Sequence, residues 1–277
     1  MLSVLLLALT ASAATPKYDG IDADAEPVVL EKPVTELSVE LGGNFTTGNA
    51  WILNVIGGVR GLHRWKQNRF RFDGNTNLSY AKVDIDGSGS LSDEERAAPP
   101  IWTSQRILAT ARYDRFFGQR NSLYASVGAE RDQLAGLLWR FNQQLGYSFL
   151  PVKSETTTLA TEIGAAYTQE NFVTSVDADG NVINADILDE HFIAARIFLG
   201  FAHKFNENVS FTNDLEMFEN LFNLKDFRLY NTASFSFRFS DKFALKLSHR
   251  LLLDTEPVPG FRPVDQITAL TLVASIF

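Results

Sequence analysis

The chain has no cysteine in its 277 residues. Disulfides, thiol nucleophiles and thiolate metal sites are therefore excluded. Histidine is scarce, at four residues, so imidazole chemistry has few groups to draw on. Positive charge is in deficit: 25 Lys and Arg stand against 33 Asp and Glu, for a net charge of −8. That balance argues against nucleic acid as a partner. Beyond the N-terminus no apolar run approaches the roughly 18 to 20 residues of a membrane helix. If the chain crosses a bilayer, it does so as a closed β-barrel.

What is present fits that alternative. Hydrophobic residues make up 45% and Phe alone numbers 22, yet the mean hydropathy is near zero. Such a composition suits a wall that is apolar on one side and polar on the other. The length is ordinary for one large all-β barrel.

The chain opens on "MLSVLLLALTASAATPKYDG". The apolar run Leu2 to Leu9, followed by small residues, predicts a secretory signal peptide over residues 1–14, although a basic leading segment is missing. A buried apolar helix is the alternative. Residues 15–34, acidic and carrying Pro27 and Pro33, read as a periplasmic lead-in.

From residue 35 to 277 the pattern has period two. In "WRFNQQLGYSF", Trp139, Phe141, Leu145, Tyr147 and Phe149 share one face, and Arg140, Asn142, Gln144 and Ser148 the other. About twelve such segments occur, most of them roughly 10 to 15 residues long, enough to cross a bilayer at a tilt. They begin near Thr35, Trp51, Arg69, Ile101, Ser122, Leu138, Thr157, Phe192, Val209, Phe227, Phe243 and Asp265. The connections alternate: "WKQN", "FGQRN", "LPVKSE", "FNEN" and "FSDK" are short, whereas "DIDGSGSLSDEERAAPP" and "SVDADGNVINADILDE" are long; only the first, "TTGN", is short where a long one is expected. This predicts a single antiparallel transmembrane β-barrel of about 12 strands in a bacterial outer membrane, with short periplasmic turns and longer outside loops. Outer-membrane lipid and lipopolysaccharide would surround it. The terminal Phe277 resembles the signal read by the barrel-assembly machinery, although Ser275 departs from the usual aromatic.

The face opposite the apolar one is charged. It carries Arg60, Arg71, Asp73, Arg112, Asp114, Glu130, Arg140, Glu162, Arg196, Asp214, Glu216, Arg228, Arg238 and Arg250, with Glu36, Glu40 and Lys246. In lipid these groups would be prohibitive; in a lumen they can pair or bind water. Two readings stay open, a structural salt-bridge filling and a narrow water-filled pathway with charge selectivity.

The long connection after the third segment holds "DIDGSGSLSDEE". Asp84, Asp86 and Ser88 stand at the first, third and fifth positions of an EF-hand loop, with Gly89 at the sixth. Ser90 stands at the seventh, Ser92 at the ninth and Glu95 at the twelfth. Carboxylates two residues apart converge on one ion, Gly allows the sharp turn, and the final Glu closes the shell. This predicts a Ca2+ site, weak because it has no partner hand, with a dissociation constant of roughly 10⁻⁴ to 10⁻³ M. An acidic solvated loop is the bland alternative. A second stretch, "DADGNVINADILDE", fits at Asp177, Asp179 and Asn181 but fails at Val182 and Leu188.

Catalysis has little to stand on. The histidines are His63, His191, His203 and His249. Ser248 and His249 are adjacent on a strand and point to opposite faces. An outer-membrane lipid-hydrolysing enzyme is carried as the alternative function; no enzymatic activity is expected.

Four stretches resemble one known group: "ELSVELGGNFTTGNAWILNV", "LYASVGAERDQLAGLLWRFNQQLGYSF", "LATEIGAAYTQENF" and the closing "SFSFRFSDKFALKLSHRLLLDTEPVPGFRPVDQITALTLVASIF". Their order and spacing are similar to the salt-induced outer-membrane proteins of domain of unknown function 481. The resemblance implies an outer-membrane barrel, acting as a narrow pore or a structural, stress-related barrel. It implies little about activity, and the long acidic insert is not part of the pattern.

Overall fold

The computed structural model describes residues 30–46, 51–82, 91–133, 136–174, 182, 189–258 and 261–276. These form twelve strands: β1 (Leu30–Thr46), β2 (Trp51–Lys66), β3 (Asn68–Lys82), β4 (Ile101–Phe116), β5 (Asn121–Asp132), β6 (Leu137–Lys153), β7 (Thr157–Phe172), β8 (Asp189–Lys204), β9 (Val209–Asn220), β10 (Phe227–Arg238), β11 (Phe243–Asp254) and β12 (Val264–Ser275). Among the described residues there is one short α-helix, α1 (Asp93–Ala97), in the β3–β4 connection. Every strand pairs antiparallel with its sequence neighbours, and β1 closes the ring on β12 through the pairs Ser38↔Ser275 to Leu41↔Leu272. Closure satisfies the backbone internally and leaves no strand edge open, the condition for strands in lipid.

The alternation read in the sequence sorts the side chains. Leu41, Ile107, Val127, Leu145, Ile163 and Ile197 form an exposed apolar band; Leu145 is 68% and Ile163 64% exposed. A soluble protein would bury such residues; lipid covers them here. Aromatic clusters ring both ends. At the long-loop end Phe45, Trp51, Tyr80 and Trp102 follow one another at ring distances of 5.4, 6.3 and 4.7 Å. At the short-turn end His63, Trp65 and Tyr113 do the same, as do Phe201, His203 and Phe205. Amphipathic rings at two levels are what membrane–water interfaces favour.

The register shifts in the β1–β2, β3–β4, β5–β6 and β6–β7 pairs, and two of these shifts bear on the sequence pattern. The β3–β4 register shifts between Ser79 and Tyr80, and this bulge sets Trp102 beside Tyr80 although it shares parity with the inward Ser104. The second lies in β1, which starts at Leu30, inside the stretch expected as lead-in. Its register shifts between Leu30 and Val34. Pro33 falls within that shift, where a missing N–H costs no ladder bond.

Inside, apolar packing is confined to small clusters, such as Leu150, Ala160, Phe198 and Ala202, and Ala166, Phe192, Ala194 and Phe218. The rest of the interior is polar.

Candidate functional site in the lumen

The strands lift arginine and carboxylate side chains into the lumen from opposite walls, and the chains are long enough to meet across it. A first layer runs from β3 to β9. Arg69 Nε lies 3.3 Å from Asp114 Oδ2, and Arg112 Nη2 lies 2.6 Å from Asp114 Oδ1. Arg112 also forks onto Glu162 at 3.0 and 2.7 Å. Glu162 accepts in turn from Arg196 at 2.8 Å, and Arg196 Nε reaches Glu216 at 2.6 Å. These groups are almost fully buried. Buried charges survive only when paired and hydrogen-bonded, and planar guanidinium suits a bidentate carboxylate.

Tyr124 of β5 is the hinge of this layer. Its ring lies 4.1 Å from the Arg112 guanidinium, and its hydroxyl accepts from Arg196 at 2.5 Å. It is seated on Gly146 and Gly164, which face each other across β6 and β7. A Cβ at Gly146 would lie 2.5 Å from the Tyr124 hydroxyl, and one at Gly164 2.7 Å. The bare backbone is therefore required for the ring to fit.

A second layer lies toward the long loops. Arg106 joins Asp132 at 2.7 Å and Glu130 at 2.5 Å. Arg140 bridges Glu130 at 3.2 Å and Glu170, and Arg228 bridges Glu170 and Asp226, the latter at 2.9 Å. Two smaller groups stand apart: Asp73 with Arg60 at 2.9 Å and Arg71 at 3.6 Å, and Lys246 with Glu40 at 2.5 Å.

A cavity of about 140 Å³ is lined by members of both layers, among them Arg112, Arg196, Glu130, Arg140 and Arg228. A second chamber, about 60 Å³, adjoins it on the long-loop side. The two share Glu130, Arg140 and Tyr230. The outer chamber is roofed by the β11–β12 connection, where Val258 is buried and Phe261 covers Gly136.

Of the charges expected in the lumen, Arg71, Arg112, Asp114, Glu162, Arg196, Asp214, Glu216, Arg228 and Arg250 are buried on inward positions, and Arg60, Asp73, Glu130 and Arg140 are mostly covered there. Arg238 is different: it lies at the exposed end of β10 and donates to the Glu207 carbonyl in the β8–β9 turn. Period two carries a residue to the inner face but does not say where the lumen stops. Arg69, Arg106, Asp132 and Glu170 belong to the layers and were missed, although their parity with Arg71, Arg112, Glu130 and Glu162 was a usable signal. Asp226 sits in a loop, and Tyr124 reads as an ordinary aromatic; neither had a local signal.

In the outside loop, Asp84, Asp86, Ser88 and Ser90 lie outside the described residues, as do residues 1–29, Phe277, and Asp177, Asp179 and Asn181. Ser92 and Glu95 form a capping box on α1: Ser92 N donates to Glu95 Oε2 at 2.8 Å, and Glu95 N to Ser92 Oγ at 3.3 Å. Among the described residues no three acidic or histidine side chains converge on a metal-sized site. The four histidines occupy outward positions. Three of them pair with threonines across strands, His63 with Thr35, His203 with Thr157 and His249 with Thr268, at 2.8 to 2.9 Å. Ser248 is buried on the opposite face from His249.

The family model for "Protein of unknown function, DUF481" matches residues 39–276. The chain belongs to the DUF481 family. Several solved structures are similar to this DUF481 barrel. One is an outer membrane channel from Pseudomonas putida F1, 13% identical over 92% of this chain and 97% of that one, with a TM-score of 0.45. Another is the translocator domain of the autotransporter NalP from Neisseria meningitidis, 14% identical over 94% and 91%, also at 0.45. A third is the NanC porin, 8% identical over 86% and 97%, at 0.44. No curated protein matches the sequence. The closed ring, the exposed apolar band between aromatic girdles and the charged interior make this DUF481 chain a bacterial outer-membrane barrel.

Proposed function

We propose that the barrel is a narrow channel for small polar solutes. The supporting observation is the pair of adjoining chambers within a charged lumen, joined at Glu130, Arg140 and Tyr230. A barrel built only as a strut gains nothing from polar cavities. Passage would require the Arg140 and Arg228 bridges to open, so conductance should be small and intermittent. Purified protein in planar bilayers should give small discrete current steps. A silent membrane would instead favour the second reading, a structural or stress-related barrel, which the continuous arginine–carboxylate layers support. No arrangement of the described histidines favours lipid hydrolysis.

The outside loop is proposed to bind calcium, with Asp84, Asp86, Ser88, Ser90, Ser92 and Glu95 as its ligands. The capping box supports this reading by fixing Glu95 at the start of α1, with Ser92 beside it. Glu95→Gln keeps the box, since Gln serves there equally, but removes the charge. Millimolar calcium should raise the melting temperature of the wild type and not of this variant; a wild type indifferent to calcium ends the idea. Lipid, lipopolysaccharide and the assembly machinery, the last through Phe277, complete the expected partners.

A further inference from the structure

Six arginines line the larger cavity: Arg71, Arg112, Arg140, Arg196, Arg228 and Arg250. Five of them lie within 4 Å of a carboxylate. Arg250 does not. It is 8% exposed, yet it makes no ion pair or hydrogen bond with the described residues, and its Nε is buried without a partner. Its one contact of note is the Tyr230 ring, 5.8 Å from the guanidinium carbon. Among the charges that act on it are Arg106, which repels it, and Glu130 and Asp132, which Arg106 and Arg140 already hold.

An uncompensated guanidinium out of bulk water is costly, and five donors in a fixed fork match a carboxylate. The space before it is bounded. A cavity of about 140 Å³ is close to the roughly 150 Å³ that accommodates one benzene ring. Its wall is not polar throughout: Phe192 and Phe218, packed in one cluster with Tyr230, supply an apolar face. Thr232, the partner of Arg250 across β10 and β11, adds a hydroxyl at the rim.

We infer that the lumen holds a binding site for a small organic monocarboxylate, with the carboxylate on Arg250 and the apolar body against Phe192 and Phe218. An inorganic anion would leave the aromatic wall unused, and a dicarboxylate would set its second charge against that wall. The physiological meaning of the site, a solute class for the channel, rests on the channel reading; binding itself does not.

The test uses the full-length barrel in detergent, with benzoate as the probe and benzamide as its uncharged match. Benzoate titrated calorimetrically should bind at neutral pH and benzamide should not. Arg250→Gln should weaken benzoate by at least about tenfold, the worth of a charge-assisted bond. Arg250→Lys keeps the charge and loses the fork, and should fall between the two. Heat-modifiable gel mobility establishes that each variant is a folded barrel. If Arg250→Gln does not fold, the lysine variant decides: affinity equal to the wild type overturns the inference. It is overturned equally by wild type that ignores benzoate, or by benzoate binding that survives Arg250→Gln. Arg250-dependent binding by a barrel silent in bilayers removes the channel and keeps the site. Current steps without benzoate binding do the reverse.

Discussion

The wall formed by β3 to β9 and the wall formed by β10, β11, β12 and β1 solve the same problem differently. On the first, carboxylates are shared: Asp114 lies between Arg69 and Arg112, and Glu162 between Arg112 and Arg196. The second has only isolated pairs, such as Lys246 with Glu40; Ser234, Ser248 and Thr271 there bury hydroxyls with no partner among the described residues, as Ser104 and Thr158 do on the first, and Arg250 has no carboxylate partner. Arginine and glutamate arms can cross a lumen and meet. Hydroxyls on one-carbon stems cannot, so on a curved wall they look to solvent or solute for a hydrogen bond. The shared carboxylates of the first wall therefore act as the scaffold, and Arg250 on the second is where something else can come in.

Glu162→Gln should break that contrast most severely. It removes the charge that Arg112 and Arg196 share, at a cost of about 3 kcal/mol or more, the usual scale for breaking a buried pair. The urea midpoint of the barrel in lipid vesicles should fall. An unchanged midpoint would mean that water already screens the layer, and the scaffold interpretation would be lost. At the other extreme, Ser248→Ala on the seam wall should alter stability by less than about 0.5 kcal/mol, because no protein bond is lost. A loss well above about 1 kcal/mol would reveal a partner for that hydroxyl.

Much of this architecture was legible. Strands were expected within a few residues of their observed starts for all but β1, where Pro33 hid a bulged beginning. The alternation of short turns and long loops predicted an even, closed meander. The inward face was also legible as a face: Arg112, Glu162 and Arg196 all fell on it. Their partnership was not. Glu162 is fifty positions from Arg112 and on the third strand along, so no local spacing links them. Tyr124 gave no warning either, because its role depends on two glycines from other strands meeting beneath it.

The sequence by itself determined period, strand number and the two-sided chemistry of the wall, because these depend on the pleat, which alternates with every residue. The tertiary structure decided which charges meet, where the cavities lie and that Arg250 is left over. Those depend on strand tilt, on closure and on side-chain reach across the lumen, and such distances exist only once β1 has found β12.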